Sequence, residues 1–397
     1  MADRNRIFLH CPTCISALGL GVDETARALL SEQAHFLRQY ENILPDQTIP
    51  YGISEDAPAL DSQADYGLTR TNVLIQLCLK QTPELVEYLS HFEPERVGVV
   101  LGASTSGMRE IERGVESCHK TGRLPDEFTA DALNLSDPAS FTADTLGIRG
   151  PVFTVSNACA SGAMALETAA EMIRAGIVDA VVTGGIDGFS KFTSHGFSSL
   201  GAMSNTQCSP FADNRHGINL GEGGALLVLS KEPSPVELVG WASTCDAHHP
   251  SAPEPEGVQA SGAMQKALDR AQLKPQEIDF VSAHGTATAL NDAMESKAIH
   301  RVFGTNAPVA SLKGLTGHTL AGAGALQAAF AWILLTMNPE GILPVNGMTG
   351  AKDPALSEID LITQPRRLGR ALGAVMGNAF AFGGSNAVLI FKAYKDE

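Results

Sequence analysis

The seventeen residues from Ala321 to Met337 carry no charged side chain and a single side-chain amide, Gln327. A helix made of them is apolar nearly all round, so the rest of the chain must cover it on every side. The stretch is short for a membrane span, which needs about 20 apolar residues, and it reads as a buried core helix. It therefore belongs in the middle of a layered structure. A second helix, starting at Ala160-Ser-Gly, has the same character. Its charged residues Glu167, Glu171 and Arg174 fall at i, i+4 and i+7, a single narrow stripe.

Short β-branched runs alternate with longer helical stretches, the pattern of α/β layers. The first set of strands is predicted at Arg6–Leu9, Val97–Gly102, Val152–Ser156, Ala180–Gly184 and Ala225–Ser230. A Pro-containing connection, Lys231-Glu-Pro-Ser-Pro235, leads to a second set at Val236–Trp241, Ile278–Ala283, Val309–Leu312, Ile342–Val345, Leu372–Asn378 and Ala387–Lys392. The two sets follow one plan. In the first, Val155-Ser-Asn-Ala-Cys159 ends a strand and opens an apolar helix. In the second, Ser311-Leu-Lys-Gly-Leu-Thr-Gly-His318 does the same. The expectation is a duplicated fold with halves 1–232 and 233–397, and with Cys159 and His318 at corresponding helix mouths.

The charge balance of 28 − 44 = −16 disfavours a nucleic-acid backbone or an anionic membrane surface as a general partner. A hydrophobic share of 44% excludes a disordered chain. Seven widely scattered cysteines form no disulfide framework and point to a reducing compartment. The first residues show no apolar run with a cleavage site, so a cytoplasmic protein is expected.

Cys159 sits where a strand turns into a helix among small residues. A thiol at a helix N-terminus is stabilised as thiolate by the dipole and the free amides, so its pKa is expected to fall. His284, in Ser282-Ala-His-Gly-Thr-Ala-Thr-Ala289, and His318 both follow strands, and functional groups of α/β sheets gather at strand carboxyl ends. A lone Cys or His in such a place is more often structural; one Cys and two His together form a constellation. Other candidates carry less. Cys11-Pro-Thr-Cys14 has no second pair to complete a zinc site. His248-His249 beside Asp246 is a loop pair without further ligands. The Gly-rich turn Gly377–Asn386 is followed by no helix, which argues against a phosphate cradle and for a turn aiming an N–H at a reacting oxygen.

Five motifs in order resemble the elongating β-ketoacyl-acyl carrier protein synthases, condensing enzymes of the thiolase superfamily. They are Asn157-Ala-Cys-Ala-Ser-Gly162, Pro210-Phe-Ala-Asp-Asn-Arg215 with Gly221-Glu-Gly223, His284-Gly-Thr-Ala-Thr288, Lys313-Gly-Leu-Thr-Gly-His318 and Phe380-Ala-Phe-Gly-Gly-Ser-Asn386. The resemblance implies a duplicated, thiolase-like α-β-α-β-α layered fold. The Asp246-Ala-His-His-Pro and His284–Asp292 stretches look more like synthases of aryl-polyene and type II polyketide clusters than like housekeeping fatty-acid enzymes. No Cys follows Cys245, unlike in thiolases, and the nucleophile that chain-length factors lack is present. A non-catalytic chain-length-factor-like subunit and a CoA-dependent thiolase are the alternatives.

The resemblance also implies roles. Cys159 takes the acyl chain from an acyl carrier protein. His284 and His318 hold the enolate of the decarboxylated malonyl group. The N–H groups of Cys159 and Phe382 form the oxyanion hole, Lys313 tunes the histidines, and Phe382 gates acyl entry. Thr286, Thr288, Ser251 and Phe380 contact the phosphopantetheine arm and substrate. No cofactor or metal is implied, and the partners are acyl-carrier and malonyl-carrier proteins plus a second copy or a chain-length factor. The family commonly has Glu where Gln327 stands, which leaves the partner of Lys313 open. Ser104, Thr105, Ser106 and Met108 are candidate tunnel residues. Because acyl carrier proteins are acidic, a basic patch including Arg70 and Arg215 is expected at the pocket mouth.

Overall fold

The computed structural model describes residues 6–31, 37–60, 68–125 and 128–395. Its main strands are β1 (Phe8–Ser16), β2 (Val97–Gly102), β3 (Val152–Val155), β4 (Ala180–Asp187), β5 (Gly223–Ser230), β6 (Val236–Cys245), β7 (Phe280–Ser282), β8 (Pro308–Ala310), β9 (Asp360–Leu361), β10 (Ala374–Phe380) and β11 (Ser385–Ala393). The helices that matter for the site are α1 (Arg70–Gln81), α2 (Met108–Thr121), α3 (Ser161–Arg174), α4 (Lys191–Ser199), α5 (Val258–Ala271), α6 (Ala289–Phe303) and α7 (Gly322–Thr336). β2, β4 and β5 are buried along their whole length, as continuous apolar strands covered on both faces must be.

The strands hydrogen-bond in the order β9-β8-β7-β10-β11-β6-β1-β5-β4-β2-β3, and a short strand Gly19–Leu20 adds to β1. Outward from β1, the pairs β1/β5 and β5/β4 are antiparallel, and β4/β2 and β2/β3 are parallel. Outward from β6, the pairs β6/β11 and β11/β10 are antiparallel, and β10/β7 and β7/β8 are parallel. The same pairing pattern thus occurs twice. The two series meet where Phe8 and Leu9 pair with Glu237 and Val236.

Between them lie α3 and α7, as their apolar surfaces demand. All of α7 except Trp332 and Thr336 is buried. Val100, Val181 and Leu227 from one series and Phe280, Val375 and Leu389 from the other pack on this helix pair. Outer helices then cover the far faces: Leu74 and Ile75 of α1 over Val99, Val182 and Val228, and Met264 of α5 with Ile299 of α6 over Val281, Met376 and Ile390. Burying each such side chain contributes about 1.5–3 kcal/mol. The central helices touch backbone to backbone. Gly162 N–H donates to the Ala321 carbonyl at 3.0 Å. A Cβ on Gly162 would lie 2.5 Å from that oxygen, and one on Gly324 would lie 2.7 Å from Ala163 N.

The strand predictions miss β9 and stop short of the ends of β4 and β6, and three further differences bear on the site. β1 runs on to Ser16 because a bulge between His10 and Thr13 accommodates Pro12, which has no N–H to give. Cys11 and Cys14 therefore lie within a strand, and Cys14 is buried against Thr25. At 342–345 only Ile342–Leu343 forms a strand, and it pairs with Arg366–Arg367 away from the large sheet. After Ala310 the chain does not continue extended to Leu312; it forms a helical turn, Lys313–Thr316, that delivers His318. No helix among the described residues is long and apolar enough to cross a membrane.

Candidate active site

Cys159 lies in a 3-10 turn, Ala158–Ala160, that joins β3 to α3. Ala158 has φ of 46°, a left-handed conformation that costs an L-residue on the order of 1–3 kcal/mol. Two hydrogen bonds hold that bend: Asn157 N–H donates to Ser161 Oγ (2.8 Å), and Ser161 Oγ–H donates to the Ala158 carbonyl (2.6 Å). The bend turns the thiol inward, where His318 Nε2 stands 3.0 Å from Cys159 Sγ.

Both histidines are oriented from behind. Leu320 N–H donates to His318 Nδ1 (3.2 Å). Lys313 Nζ lies 3.3 Å from His284 Nδ1 and also donates to the His284 carbonyl. With a donor on each Nδ1, the proton of each neutral imidazole resides on Nε2. The two rings stand 5.4 Å apart at 86°. Burial and the Lys313 charge hold both pKa values well below the ordinary histidine value, so the rings are neutral N–H donors at neutral pH.

Burial pushes the Cys159 thiol up to about 11, while Lys313 and the N–H groups of Cys159 and Phe382 pull it partly back. The fall expected from the helix N-terminus is thus outweighed by desolvation, which disfavours any buried charge. The thiol is protonated at rest, with the Nε2–H of His318 directed at its sulfur. The same two N–H groups face the sulfur, the arrangement needed to hold an oxyanion on a thioester formed there.

Lys313 is brought down to about 8 by burial, against the pull of Glu295. Glu295 is in turn pushed up to about 7 by burial. Its carboxylate accepts from His284 N–H (2.7 Å), Gly285 N–H (2.6 Å) and Asn378 Nδ2 (3.2 Å). Among the charges around Lys313, that of Glu295 opposes the effect of burial most strongly. Gln327 serves differently: its Nε2 donates to the carbonyls of Ser282 (3.1 Å), Ala283 (3.4 Å) and Asn378 (3.0 Å). A glutamate at that place has no N–H to offer those oxygens.

A cavity of about 670 Å³ opens above these groups. Cys159, His284 and His318 line it together with Thr286, Thr288, Ser251, Phe380 and Phe382. Thr286 Oγ1 and Thr288 Oγ1 are 2.9 Å apart, and the Phe380 ring is 6.0 Å from that of His284. Every predicted site residue thus converges on one place, with Lys313 buried behind His284. Sequence reasoning missed Glu295, which the three-residue step from Asp292 sets on the same face of α6. It also missed Phe197, whose ring stacks at 5.6 Å on the gate candidate Phe382.

Other expectations need correction. Arg70 is buried and forms a bidentate pair with buried Glu222, through Nε–Oε2 (2.8 Å) and Nη2–Oε1 (2.5 Å), so it offers nothing to a partner. Arg215 lines the cavity but is committed to Asp353. The rim instead exposes Leu200 and Leu290. None of Ser104, Thr105, Ser106 and Met108 lines this cavity. Ser104 N–H (3.0 Å) and Thr105 N–H (2.9 Å) donate to Asp187, which also accepts from Ala321 N–H (2.9 Å) at the mouth of α7.

Residues 45–234 match the family model of the β-ketoacyl synthase N-terminal domain, and residues 236–347 match that of its C-terminal domain. A 3-oxoacyl-acyl-carrier-protein synthase 2 of Staphylococcus aureus is 33% identical over 321 residues, 76% of each chain. Among solved structures, the ketosynthase ApeO in complex with its chain length factor ApeC, from Xenorhabdus doucetiae, superposes with a TM-score of 0.91 at 37% identity over 99% of both chains. A β-ketoacyl synthase from Burkholderia phymatum superposes at 0.83 with 27% identity, over 98% of this chain and 100% of the other.

Proposed function

The chain belongs to the β-ketoacyl synthase family, and from that premise we propose that it extends carrier-bound acyl chains through Cys159, with His284 and His318 as donors to the malonyl group, in aryl-polyene or type II polyketide synthesis. It is a condensing acyltransferase; the residue roles and the pathway are the proposal. The observation that carries it is the 3.0 Å contact between His318 Nε2 and Cys159 Sγ, with a second imidazole beside it in a cavity open to a thioester arm.

In the first half-reaction the Cys159 sulfur, faced by the Nε2–H of His318, attacks the acyl thioester of an acyl carrier protein as the thiol proton is released. The carbon–sulfur bond to the phosphopantetheine breaks, and its sulfur leaves with the proton. In the second, malonyl carrier protein loses CO2, and the electron pair of the broken carbon–carbon bond moves onto the thioester oxygen. The Nε2–H groups of His284 and His318 stabilise that enolate. Its carbon attacks the acyl-Cys159 carbonyl, the oxyanion rests on the Cys159 and Phe382 N–H groups, and the cysteine sulfur is expelled. Each such donor is worth about 3–4 kcal/mol of barrier. Thr286, Thr288 and Ser251, which line the cavity, bind the arm in this reading. No cofactor is needed, because the thioester and the departing CO2 supply the driving force.

The partners follow. The carrier meets the cavity rim, where Leu200 and Leu290 offer apolar contact and free cations are not supplied by Arg70 or Arg215. The X. doucetiae structure pairs a ketosynthase with a chain length factor, which supports a heterodimer with such a subunit for this chain. Seven free thiols support a cytoplasmic setting. The non-catalytic reading is not favoured, since Cys159 is present and in contact with His318.

Mass analysis of products from a panel of acyl carrier proteins with malonyl carrier protein, with and without a chain length factor, tests the proposal. A thioester on Cys159 and ketoacyl products are expected. An enzyme that remains unacylated while products form elsewhere overturns it.

A pH profile checks Lys313. Its proton holds His284 in the Nε2–H form, so malonyl decarboxylation is expected to decline as pH rises through about 8. Lys313→Ala is expected to be slower throughout and to lose that step. Stability moves the other way. The folded pKa lies below the ordinary 10.5, so the unfolded chain binds more protons between those values, and this group adds stability as pH climbs across that window. Loss of rate there is then not loss of fold.

A further inference from the structure

A carboxylate that no step of the condensation uses fixes the helix beside the gate. Helix α4, Lys191–Ser199, has nine residues, of which only Ser194 is buried, and Phe192 at its start is 63% exposed. So short a helix is marginal by itself, and Phe197 is its hydrophobic side chain packed against the neighbouring buried cluster that includes Tyr51 and Phe189. Its first turn is held by side chains. Lys191 N–H donates to Glu112 Oε2 (3.2 Å) and Phe192 N–H to Glu112 Oε1 (2.5 Å). Thr193 N–H donates to Ser190 Oγ (3.2 Å), and Ser190 Oγ–H donates to Glu112 Oε1 (2.7 Å). All three leading amides of α4 thus end on Glu112 directly or through Ser190, and Glu112 belongs to a different helix, α2. Placing a carboxylate there also suits the positive end of the helix dipole.

The far end of α4 reaches the active site. Phe197 stacks on Phe382 at 5.6 Å, and Leu200, Gly201 and Ala202 continue the cavity wall. Phe382 in turn points its backbone N–H at the Cys159 sulfur. A shift of α4 is therefore a shift of the ring that backs Phe382.

We propose that Glu112 is a positioning residue that latches α4, and through Phe197 keeps Phe382 closed over acyl-Cys159. The proposal rests on Phe382 acting as the gate and Cys159 as the acyl carrier in the reading above. Its consequence is protection of the intermediate from water. In the unwanted reaction a water oxygen bonds to the thioester carbonyl carbon, the carbon–sulfur bond breaks, the sulfur regains a proton and a free carboxylic acid leaves.

The test measures the lifetime of acyl-Cys159 by intact-protein mass spectrometry after loading from an acyl carrier protein and removal of excess donor, with no malonyl carrier present. Glu112→Ala is expected to shorten that lifetime about fivefold, the size of shift a lost helix cap gives. Phe197→Ala is expected to shorten it similarly, and the double variant no further, because both act through one contact. Glu112→Gln keeps one acceptor oxygen and should fall between; it carries the comparison if the alanine variant fails to fold. An unchanged lifetime in a Glu112 variant, or effects that add in the double variant, overturns the latch. Failure of the unaltered enzyme to form acyl-Cys159 at all overturns the reading beneath it instead.

Discussion

Cys159→Ala is expected to lower condensation by about 10⁴-fold or more, the scale seen when a nucleophile is removed from a cooperating catalytic set. No neighbouring group can replace the sulfur. The other buried thiols, Cys14, Cys78 and Cys208, do not line the cavity, and burial raises the pKa of each. Cys159→Gln separates the two halves of the chemistry. Its amide fills the place of an acyl thioester beside the Nε2–H groups of His284 and His318, which it leaves intact. Malonyl decarboxylation is expected to persist in that variant while condensation vanishes, whereas His284→Ala and His318→Ala should lose decarboxylation. Release of CO2 and formation of ketoacyl carrier, measured side by side, check this. Appreciable condensation in the alanine variant would falsify the assignment of the nucleophile.

Arg70→Ala is expected to be the most destabilising of the single changes considered. Arg70 Nε and Nη2 both bond Glu222, and Nη1 reaches the Pro58 carbonyl at 2.6 Å. Removing the guanidinium leaves the Glu222 carboxylate buried, with Phe189 N–H at 3.2 Å as its remaining donor among the described residues. Breaking such a pair from one side costs about 3–5 kcal/mol, because the orphaned charge pays its full desolvation. At about 2 cal/mol/K per residue of unfolding entropy, a chain this long should lose about 4–6 °C in Tm. Replacing both partners, as Arg70→Met with Glu222→Leu, should recover much of that loss. Calorimetry reads the effect. The KM for carrier protein should stay near that of the unaltered enzyme; a raised KM at unchanged Tm would restore Arg70 to a docking surface.

The case of Arg70 shows where sequence reading stopped. An arginine near a helix start looks the same in the sequence whether it faces water or a glutamate 152 positions away. The layered fold was legible because the apolar character of 321–337 leaves few places for a helix. The convergence of Cys159, His284 and His318 was legible because their motifs resemble a known set in order. What the sequence concealed is pairing over distance. Glu295 as the charge that most opposes burial at Lys313, Gln327 as a donor to three carbonyls, and Glu112 as the cap of another helix are partnerships made by packing. The thiol pKa went the same way. A local rule, the helix terminus, gave the direction, and burial, a tertiary quantity, reversed it.

The repeated strand order bears on how such a site can change over time. Cys159 follows one series of strands and His284, His318 and Phe382 belong to the other, and the two meet at the Cys159 sulfur. Each half is thus the mutational environment of the other. A substitution that moves α7 relative to α3 alters a thiol it does not touch, and a side chain at Gly162 would meet the backbone carbonyl of Ala321 whatever residue stands there. One helix mouth carries the Cys159 sulfur and the other the His318 imidazole, so the two ends do different work at one contact.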